Sequence, residues 1–247
     1  MSNPNNRMFE EFLRFVDKIA PTWFVFENVY GLTKFKNGEE NIQNHIENRF
    51  RDIGYTVKSK ILYASDFGVP QRRNRLFIVG NRNGIDFEFP KEFDYSVSVD
   101  EAISDLPVLG NGEIQMKGEY TVPFEQASPY AQLMRKKSKA PTQNIVSRNK
   151  DYVVERYKYI GQGENWSSIP DRLMENYADK KRCHSGIYKR LIGGKPSVVI
   201  SNYRKSMLIH PHQDRGLSVR EAARLQSFPD HFIFEGPVSV SYTHLRA

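Results

Sequence analysis

Hydrophobic positions in the first part of the chain alternate between the spacing of helices and that of strands. Seven apolar side chains at helical spacing over residues 6–19 predict an amphipathic helix that ends before Pro21. Residues 23–26 form a short aromatic and β-branched run, which is typical of a buried strand. A second helix is predicted over residues 40–53, and Gly54 is well placed to end it.

Two further strands are predicted over residues 55–63 and 76–79, with a turn at 67–70 between them. Strand–helix–strand order on this scale predicts an open α/β sheet with parallel neighbours. The strands are too few for a complete doubly wound domain, so we interpret this region as half of one. Ligands bind beyond the carboxyl ends of the strands in such sheets, and Glu27 follows the first strand at that edge.

Periodicity is weak from about residue 85 to residue 214. Prolines interrupt this region, and Tyr is mixed with Lys and Arg throughout it, which indicates short strands, turns and loops. Regularity returns over residues 218–227. Ser218 is placed there to cap a helix and Glu221 to complete a capping box.

Composition narrows the class of protein without identifying it. The chain has 247 residues, a formal charge of +7 and one cysteine. A single cysteine excludes a disulfide framework and any metal site built from several thiolates. The sequence contains neither an apolar run long enough to span a membrane nor a signal-peptide core. We therefore expect a soluble, cytoplasmic protein without a membrane partner.

The positive charge is concentrated in the second half of the chain. Residues 1–100 carry equal numbers of acidic and basic side chains, whereas residues 131–205 carry 17 basic and 6 acidic ones. Such a block can face nucleic-acid phosphates, because Lys and Arg supply most of the affinity for the backbone. The alternative is a solvated basic surface, and charge alone does not separate the two.

Three segments carry candidate chemistry. They are Phe-Val-Phe-Glu-Asn-Val at 24–29, Phe-Gly-Val-Pro-Gln-Arg-Arg-Asn-Arg at 67–75 and Arg-Gly-Leu-Ser-Val-Arg-Glu-Ala-Ala-Arg-Leu-Gln-Ser-Phe-Pro at 215–229. Taken alone, Glu27 is an ordinary strand-end carboxylate and the arginines are a solvated cluster. In this order and spacing, however, the segments resemble the Glu-Asn-Val, Gln-x-Arg-x-Arg and late Arg-Glu-x-Ala-Arg-Leu-Gln-x-Phe-Pro motifs of DNA cytosine-5 methyltransferases.

The resemblance implies a reaction and roles for three residues. In this family a cysteine thiolate adds to cytosine C6, and C5 then takes a methyl group from S-adenosylmethionine. Glu27 matches the acid that protonates or hydrogen-bonds N3, and burial would favour its neutral form. Arg75 matches the arginine that grips the flipped cytosine, and Arg73 is its neighbour. Met8 falls at an apolar position that touches the cofactor in relatives, although it is equally a core residue of its helix.

The resemblance also implies a domain plan within an α/β fold. Residues 1–95 match the later half of a Rossmann-like, S-adenosylmethionine-dependent methyltransferase sheet. Residues 96–205 match the irregular, strand- and loop-rich target recognition domain, and residues 206–239 a helix returning to the catalytic domain. Residues 240–247 resemble a translated sequencing adapter, the alternative being a genuine divergent tail.

Residues that read the target sequence cannot be transferred within this family, because the recognition domain differs between enzymes. Basic residues of this region are therefore candidates for phosphate or base contact, of which phosphate is the commoner. The candidates are Arg135, Lys136, Lys137, Lys180, Lys181, Arg182, Lys189 and Arg190.

Other polar residues are expected to be structural. Arg220 and Arg224 share one helix face, and Glu221 fits the cap. His210, His212 and Asp214 lack a fourth partner for zinc, so no metal site is predicted. A Gly-Gly-Lys-Pro-Ser segment at 193–197 lacks the leading glycine of a phosphate loop.

The sequence departs from the family at its nucleophile. The expected Pro-Cys motif and the glycine-rich cofactor strand are absent, and Cys183 follows an arginine in the recognition region. We therefore expect an inactive fragment of an enzyme, truncated at both ends. The alternatives are one half of a split methyltransferase and a non-catalytic module that binds duplex DNA.

The resemblance also implies partners. They are double-stranded DNA and, in a bacterial or phage modification system, a cognate restriction endonuclease. The complete enzyme is expected to be a monomer.

Overall fold

The computed structural model of the chain describes residues 8–31, 36–37, 40–175, 185–201, 203–236 and 245. Lys180, Lys181, Arg182 and Cys183 lie outside the described residues, as does most of the proposed tail at 240–247. The chain forms two compact units. Unit 1 contains Met1–Tyr63 and Asn74–Glu92, and unit 2 contains Ala64–Arg73 and Phe93–Ala247.

The described residues contain both helices and strands, which agrees with the predicted α/β class. The helices are α1 (Met8–Ile19), α2 (Ile42–Asp52), α3 (Val99–Ile103), α4 (Pro129–Arg135), α5 (Asp151–Tyr157), α6 (Tyr203–Ser206) and α7 (Val219–Arg224). The strands are β1 (Trp23–Val29), β2 (Lys36–Asn37), β3 (Glu40–Asn41), β4 (Thr56–Tyr63), β5 (Asn74–Asn81), β6 (Ile114–Lys117) and β7 (Thr142–Ile145). None of these helices is long and apolar enough to cross a membrane.

The main sheet of unit 1 has the order β1-β5-β4, and both pairings are antiparallel. The prediction of parallel neighbours is therefore wrong. The α2 crossover does give β1 and β4 the same direction, as expected for a strand–helix–strand unit. However, β5 lies between them, because it returns from β4 through a short connection at 64–73 without a helical crossover of its own.

One face of this sheet carries the apolar core of unit 1. Alternate residues of β1, Phe24 and Phe26, point towards this core, as do Leu76 and Ile78 of β5. Apolar side chains of α1 and α2 complete the cluster: Phe9, Leu13, Val16, Ile42, Ile46 and Phe50. The helices therefore form because each supplies one apolar stripe to this face.

The opposite face of β1 presents Trp23, Val25, Glu27 and Val29, each of which is exposed. Period-two alternation places these residues together, on the side away from Phe24. Glu27 is thus directed away from the apolar core by its register in the strand.

Unit 2 contains the two-stranded β6–β7 sheet, which agrees with the short strands predicted for its irregular sequence. It also contains the short helices α3 to α6, which were not predicted. Its α7 helix begins after Ser218, whose hydroxyl accepts from the Glu221 N–H at 3.2 Å, while the Glu221 carboxylate accepts from the Ser218 N–H at 2.7 Å. The predicted capping box is therefore confirmed. All six residues of α7 are buried, and the helix packs against α3 and β7.

Candidate active site

Glu27 and Arg75 form an ion pair on the exposed face of the unit 1 sheet. Glu27 lies opposite Phe77 and Val29 lies opposite Arg75, so the two charged residues are diagonal neighbours on adjacent strands. The Arg75 Nε lies 2.7 Å from a Glu27 carboxylate oxygen. The Arg75 Nη1 also donates to the Asn74 carbonyl oxygen at 2.8 Å. The two motif residues that the sequence separates by 48 positions therefore meet in one charged pair.

The environment of this pair differs from the expectation. The Glu27 side chain is 48% exposed, whereas Arg75 is 19% exposed. Burial, which was expected to favour a neutral Glu27, is therefore not present in this structure. The reason is the alternation of side chains along β1, which points Phe24 and Phe26 towards the core and therefore Glu27 away from it.

The loop at 64–73 carries Arg73 and belongs to unit 2. Its ends are joined by a hydrogen bond from the Ala64 N–H to the Arg73 carbonyl oxygen at 2.8 Å. Gln71 is buried and donates from Nε2 to the Leu225 carbonyl oxygen at 3.3 Å. Arg73 is half-buried and Arg72 exposed. The role of Arg73 towards a cytosine stays a prediction.

Two predicted DNA contacts are instead buried structural residues. Arg135 is 8% exposed, its guanidinium lies 3.8 Å from the centre of the Tyr120 ring, and it pairs with Asp105 at 3.4 Å. Arg190 is 6% exposed and pairs with Asp214 at 2.5 Å. It also donates to the carbonyl oxygens of Tyr157, Ile160, His210 and Gln213. The Arg190 donors are therefore engaged within the protein and not available to phosphate, and Arg135 is withdrawn from phosphate by burial.

Lys136 and Lys137 are exposed at the end of α4, and Lys189 is half-buried. The Lys189 ammonium donates to the Gly163 carbonyl oxygen. All three stay candidates for DNA contact.

The arginines of the third motif are structural, as expected. Arg224 donates to Asp230 at 2.7 and 2.8 Å and also pairs with Asp105, and all three residues are buried. Arg220 donates to the carbonyl oxygens of Thr142 and Phe232 at 2.9 Å. Together these bonds fasten α7 to β7 and to the segment that follows the helix.

Arg215 is a buried residue whose role was not predicted from the sequence. Its two terminal nitrogens donate to the two carboxylate oxygens of Glu221 at 2.9 and 2.7 Å. Burial opposes ionisation of Glu221, but the charge and hydrogen bonds of Arg215 outweigh it and lower the pKa of Glu221 to about 2. The available signal was the position of Arg215 three residues before the cap residue Ser218.

The polar residues at 210–214 serve several different contacts. His210 is buried, and its Nδ1 accepts from the His212 N–H at 3.1 Å. His212 is half exposed and lies 2.8 Å from Asp100, while Asp214 pairs with Arg190. The described residues contain no group of three or more His, Cys, Asp or Glu that could hold a metal ion.

The described residues also give no site that fits S-adenosylmethionine. Met8 is 65% exposed, so it is not the core residue considered as an alternative. An exposed thioether side chain by itself does not select a nucleoside with a charged amino-acid tail.

Comparison with known proteins identifies the family. The profile of the C-5 cytosine-specific DNA methylases matches residues 1–245. The chain is 32% identical over 273 residues to the type II methyltransferase M.Bpa9945I of Bacillus paralicheniformis, covering 97% of the chain and 60% of that protein. It is also 32% identical over 248 residues to the type II methyltransferase M.DdeI of Desulfomicrobium norvegicum, covering 95% of the chain and 59% of that protein.

The fold is shared with a solved structure. A DNA modification methyltransferase encoded within an Escherichia coli prophage superposes with a TM-score of 0.67 at 22% identity, covering 98% of this chain and 69% of that one. The chain spans about 60% of the length of the curated relatives it matches. The resemblance drawn from three motifs is confirmed by the match over nearly all residues: the chain belongs to the C-5 cytosine-specific DNA methylase family.

Proposed function

We propose that the full-length protein carrying this chain is a DNA cytosine-5 methyltransferase. It transfers a methyl group from S-adenosylmethionine to C5 of a cytosine flipped out of a specific duplex sequence. The observation that carries the proposal is the 2.7 Å pair between Glu27 and Arg75. It joins the acid of the first motif to the last arginine of the second on one sheet face.

The pair supplies the recognition chemistry that a cytosine requires. A carboxyl group at Glu27 can protonate or hydrogen-bond the ring nitrogen N3, which prepares C6 for attack by a thiolate. Arg75 holds the carboxylate through Nε and can present its other donors to the O2 carbonyl oxygen of the base. An extruded base covering the half-exposed Glu27 would exclude water from it, which makes the carboxyl easier to protonate.

The proposed domain plan assigns different tasks to different parts of the chain. Residues 1–95 form the later half of the Rossmann-like catalytic sheet, residues 96–205 the target recognition domain, and residues 206–239 the helix returning to the catalytic domain. The support is the antiparallel β1-β5-β4 sheet with the Glu27–Arg75 pair, followed by an irregular segment rich in exposed lysines. Duplex DNA is the substrate. The type II naming of the relatives favours a cognate restriction endonuclease.

Substitution of the pair tests this function. In the full-length protein we expect Glu27→Gln and Arg75→Ala to lower turnover by about 10²- to 10⁴-fold, the contribution typical of a positioned acid. Duplex affinity should change by less than about threefold, because neither residue is assigned to phosphate. Methyl transfer from labelled cofactor and duplex binding are the two measurements. Glu11→Gln, which removes an exposed carboxylate paired with Arg14 on α1, is the matched control.

Two results would refute the assignment. One is turnover of both variants equal to that of the control. The other is an equal loss of affinity in every variant, which would indicate misfolding or general DNA contact rather than a role in the reaction.

We further propose that the 247-residue chain alone does not transfer methyl groups. Its single cysteine, Cys183, follows Arg182 and not a proline. The isolated chain is expected to show salt-dependent duplex binding without labelled methyl transfer. Transfer by the purified chain, abolished by Cys183→Ser, would reverse this proposal and make Cys183 the nucleophile.

A further inference from the structure

A groove of about 380 Å³ in unit 2 is lined by basic and apolar residues. Arg72, Lys189 and Lys195 are among the ten residues that line it, and none of these ten is acidic. Arg72 and Lys195 are exposed. Like charges gathered on one surface repel each other, so such a lining favours an anionic occupant.

Hydrogen bonds from the start of α3 hold the backbone that carries Lys195. Val99 donates from its N–H to the Lys195 carbonyl oxygen at 2.9 Å, and Asp100 donates to the Gly193 carbonyl oxygen at 2.9 Å. A Cβ at Gly193 would lie 2.7 Å from a carboxylate oxygen of Asp100, so the turn depends on this close approach. The lysine is thus presented from a rigid turn.

The backbone that carries Arg72 is fixed to the same segment. The Arg72 N–H donates to the Ser197 carbonyl oxygen at 2.8 Å, and the Ser197 N–H donates to the Pro70 carbonyl oxygen at 2.9 Å. These two bonds make a parallel bridge between Gln71 and Ser197. Arg72 and Lys195 therefore reach one groove from segments held together by backbone hydrogen bonds.

Lys189 adds a third charge to the same groove. Its ammonium donates to the Gly163 carbonyl oxygen, and its side chain is only partly exposed. Its hydrogen-bonded ammonium contributes fixed positive potential to the groove, in which Arg72 and Lys195 are the exposed basic residues.

We propose that this groove binds a phosphodiester group of duplex DNA, with Arg72 and Lys195 as its ligands. The inference rests on the proposed function, since it names where the duplex backbone is held. A guanidinium presents paired donors that match two phosphate oxygens, and an ammonium acts as a compact charge beside them. The Gly-Gly-Lys-Pro-Ser segment at 193–197, which does not fit a nucleotide phosphate loop, thereby acquires a role towards a backbone phosphate.

Salt titration of duplex binding tests the proposal. The full-length protein is compared with the double variant Arg72→Gln/Lys195→Gln across a series of salt concentrations. The matched control is Lys18→Gln/Lys91→Gln, which removes the same charge from two exposed lysines of unit 1. We expect the groove variant to bind a 20-base-pair duplex about tenfold more weakly near 0.1 M salt and to lower the salt slope by about one, because the groove is assigned one phosphodiester group. The control should retain the wild-type slope.

The possible failures are distinguishable. A groove variant that matches the control, in a protein that does bind and methylate DNA, would overturn the phosphate assignment and leave the proposed function intact. Absence of duplex binding by the wild-type protein would overturn both. If inorganic phosphate raised the Tm of the wild type but not of the groove variant, with unchanged duplex slopes, the groove would bind free phosphate and the DNA assignment would be wrong.

Discussion

His210 is expected to make the stability of unit 2 depend on pH between neutrality and pH 5. Burial lowers the pKa of its imidazole to about 4, which outweighs the attraction of the nearby Glu221 carboxylate. The geometry agrees, because Nδ1 accepts a hydrogen bond from the His212 N–H at 3.1 Å and must stay unprotonated to do so. The folded protein therefore holds this imidazole neutral.

The sign and size of the effect follow from proton linkage. The unfolded chain takes up a proton near the ordinary pKa of 6.5, whereas the folded chain resists uptake until about pH 4. The stabilisation is thus fully present above pH 6.5 and is lost as the pH falls towards 4. Between pH 7 and pH 5 the free energy of unfolding should fall by about 2 kcal/mol from this group alone.

The assay is urea unfolding at pH 7, 6 and 5, followed for wild type and His210→Asn. Asparagine keeps an acceptor for the His212 N–H but does not titrate. Between pH 7 and pH 5 the free energy of unfolding of the variant should therefore fall by about 2 kcal/mol less than that of the wild type, whatever the stability of the variant at pH 7. His231→Asn, at an exposed position, is the control and should keep the wild-type dependence. Glu221 does not interfere, because its pKa of about 2 confines its own loss of stabilisation to pH values below about 4.5.

A variant His210→Asn with the same pH dependence as wild type would refute the reasoning. It would mean that the imidazole is solvated or protonated in the folded state, contrary to its 7% exposure.

Two further substitutions test packing in the two units. Gly80→Ala should destabilise unit 1 by about 1–3 kcal/mol, because the added Cβ would lie 2.5 Å from Cζ of Phe24. The control is Gly31→Ala, where the added Cβ meets open space. If urea unfolding gave the same stability for both variants, this expectation would be wrong. Arg224→Met should cost unit 2 about 3–5 kcal/mol, because the buried Asp230 carboxylate loses its ion-pair partner and Asp105 keeps only Arg135. Thermal unfolding within a degree of wild type would contradict this expectation.

The sequence predicted those features that depend on local periodicity. The amphipathic helix over 6–19 corresponds to α1, and the capping box at Ser218 is present because neighbouring residues alone decide it. Strand order does not follow from local periodicity. The sequence did not specify that β5 would insert between β1 and β4, since pairing depends on the length of the 64–73 connection and on contacts far along the chain.

The residues of the candidate site were predictable from the sequence, but their exposure and partners were not. Three motifs brought Glu27 and Arg75 into one hypothesis, and the structure joins them at 2.7 Å. Their exposure was not predictable, because it depends on which face of β1 the helices cover. Arg135 and Arg190 were misjudged for a related reason. A basic side chain in a basic segment is easily interpreted as a phosphate contact, because the sequence does not show which distant acidic residue pairs with it. Asp105 is such a partner for Arg135, and Asp214 for Arg190.

The parallel bridge between Gln71 and Ser197 has a consequence for how the protein is made. The strands on either side of the arginine loop, β4 and β5, are close in sequence and can pair as soon as both have left the ribosome. The loop between them cannot form its bridge to Ser197 until that residue is synthesised, roughly 6–25 s later at ordinary elongation rates. During that interval the nascent chain would carry a paired hairpin with an unfastened basic tip, and ordering of Arg72 would be one of the later events of its synthesis.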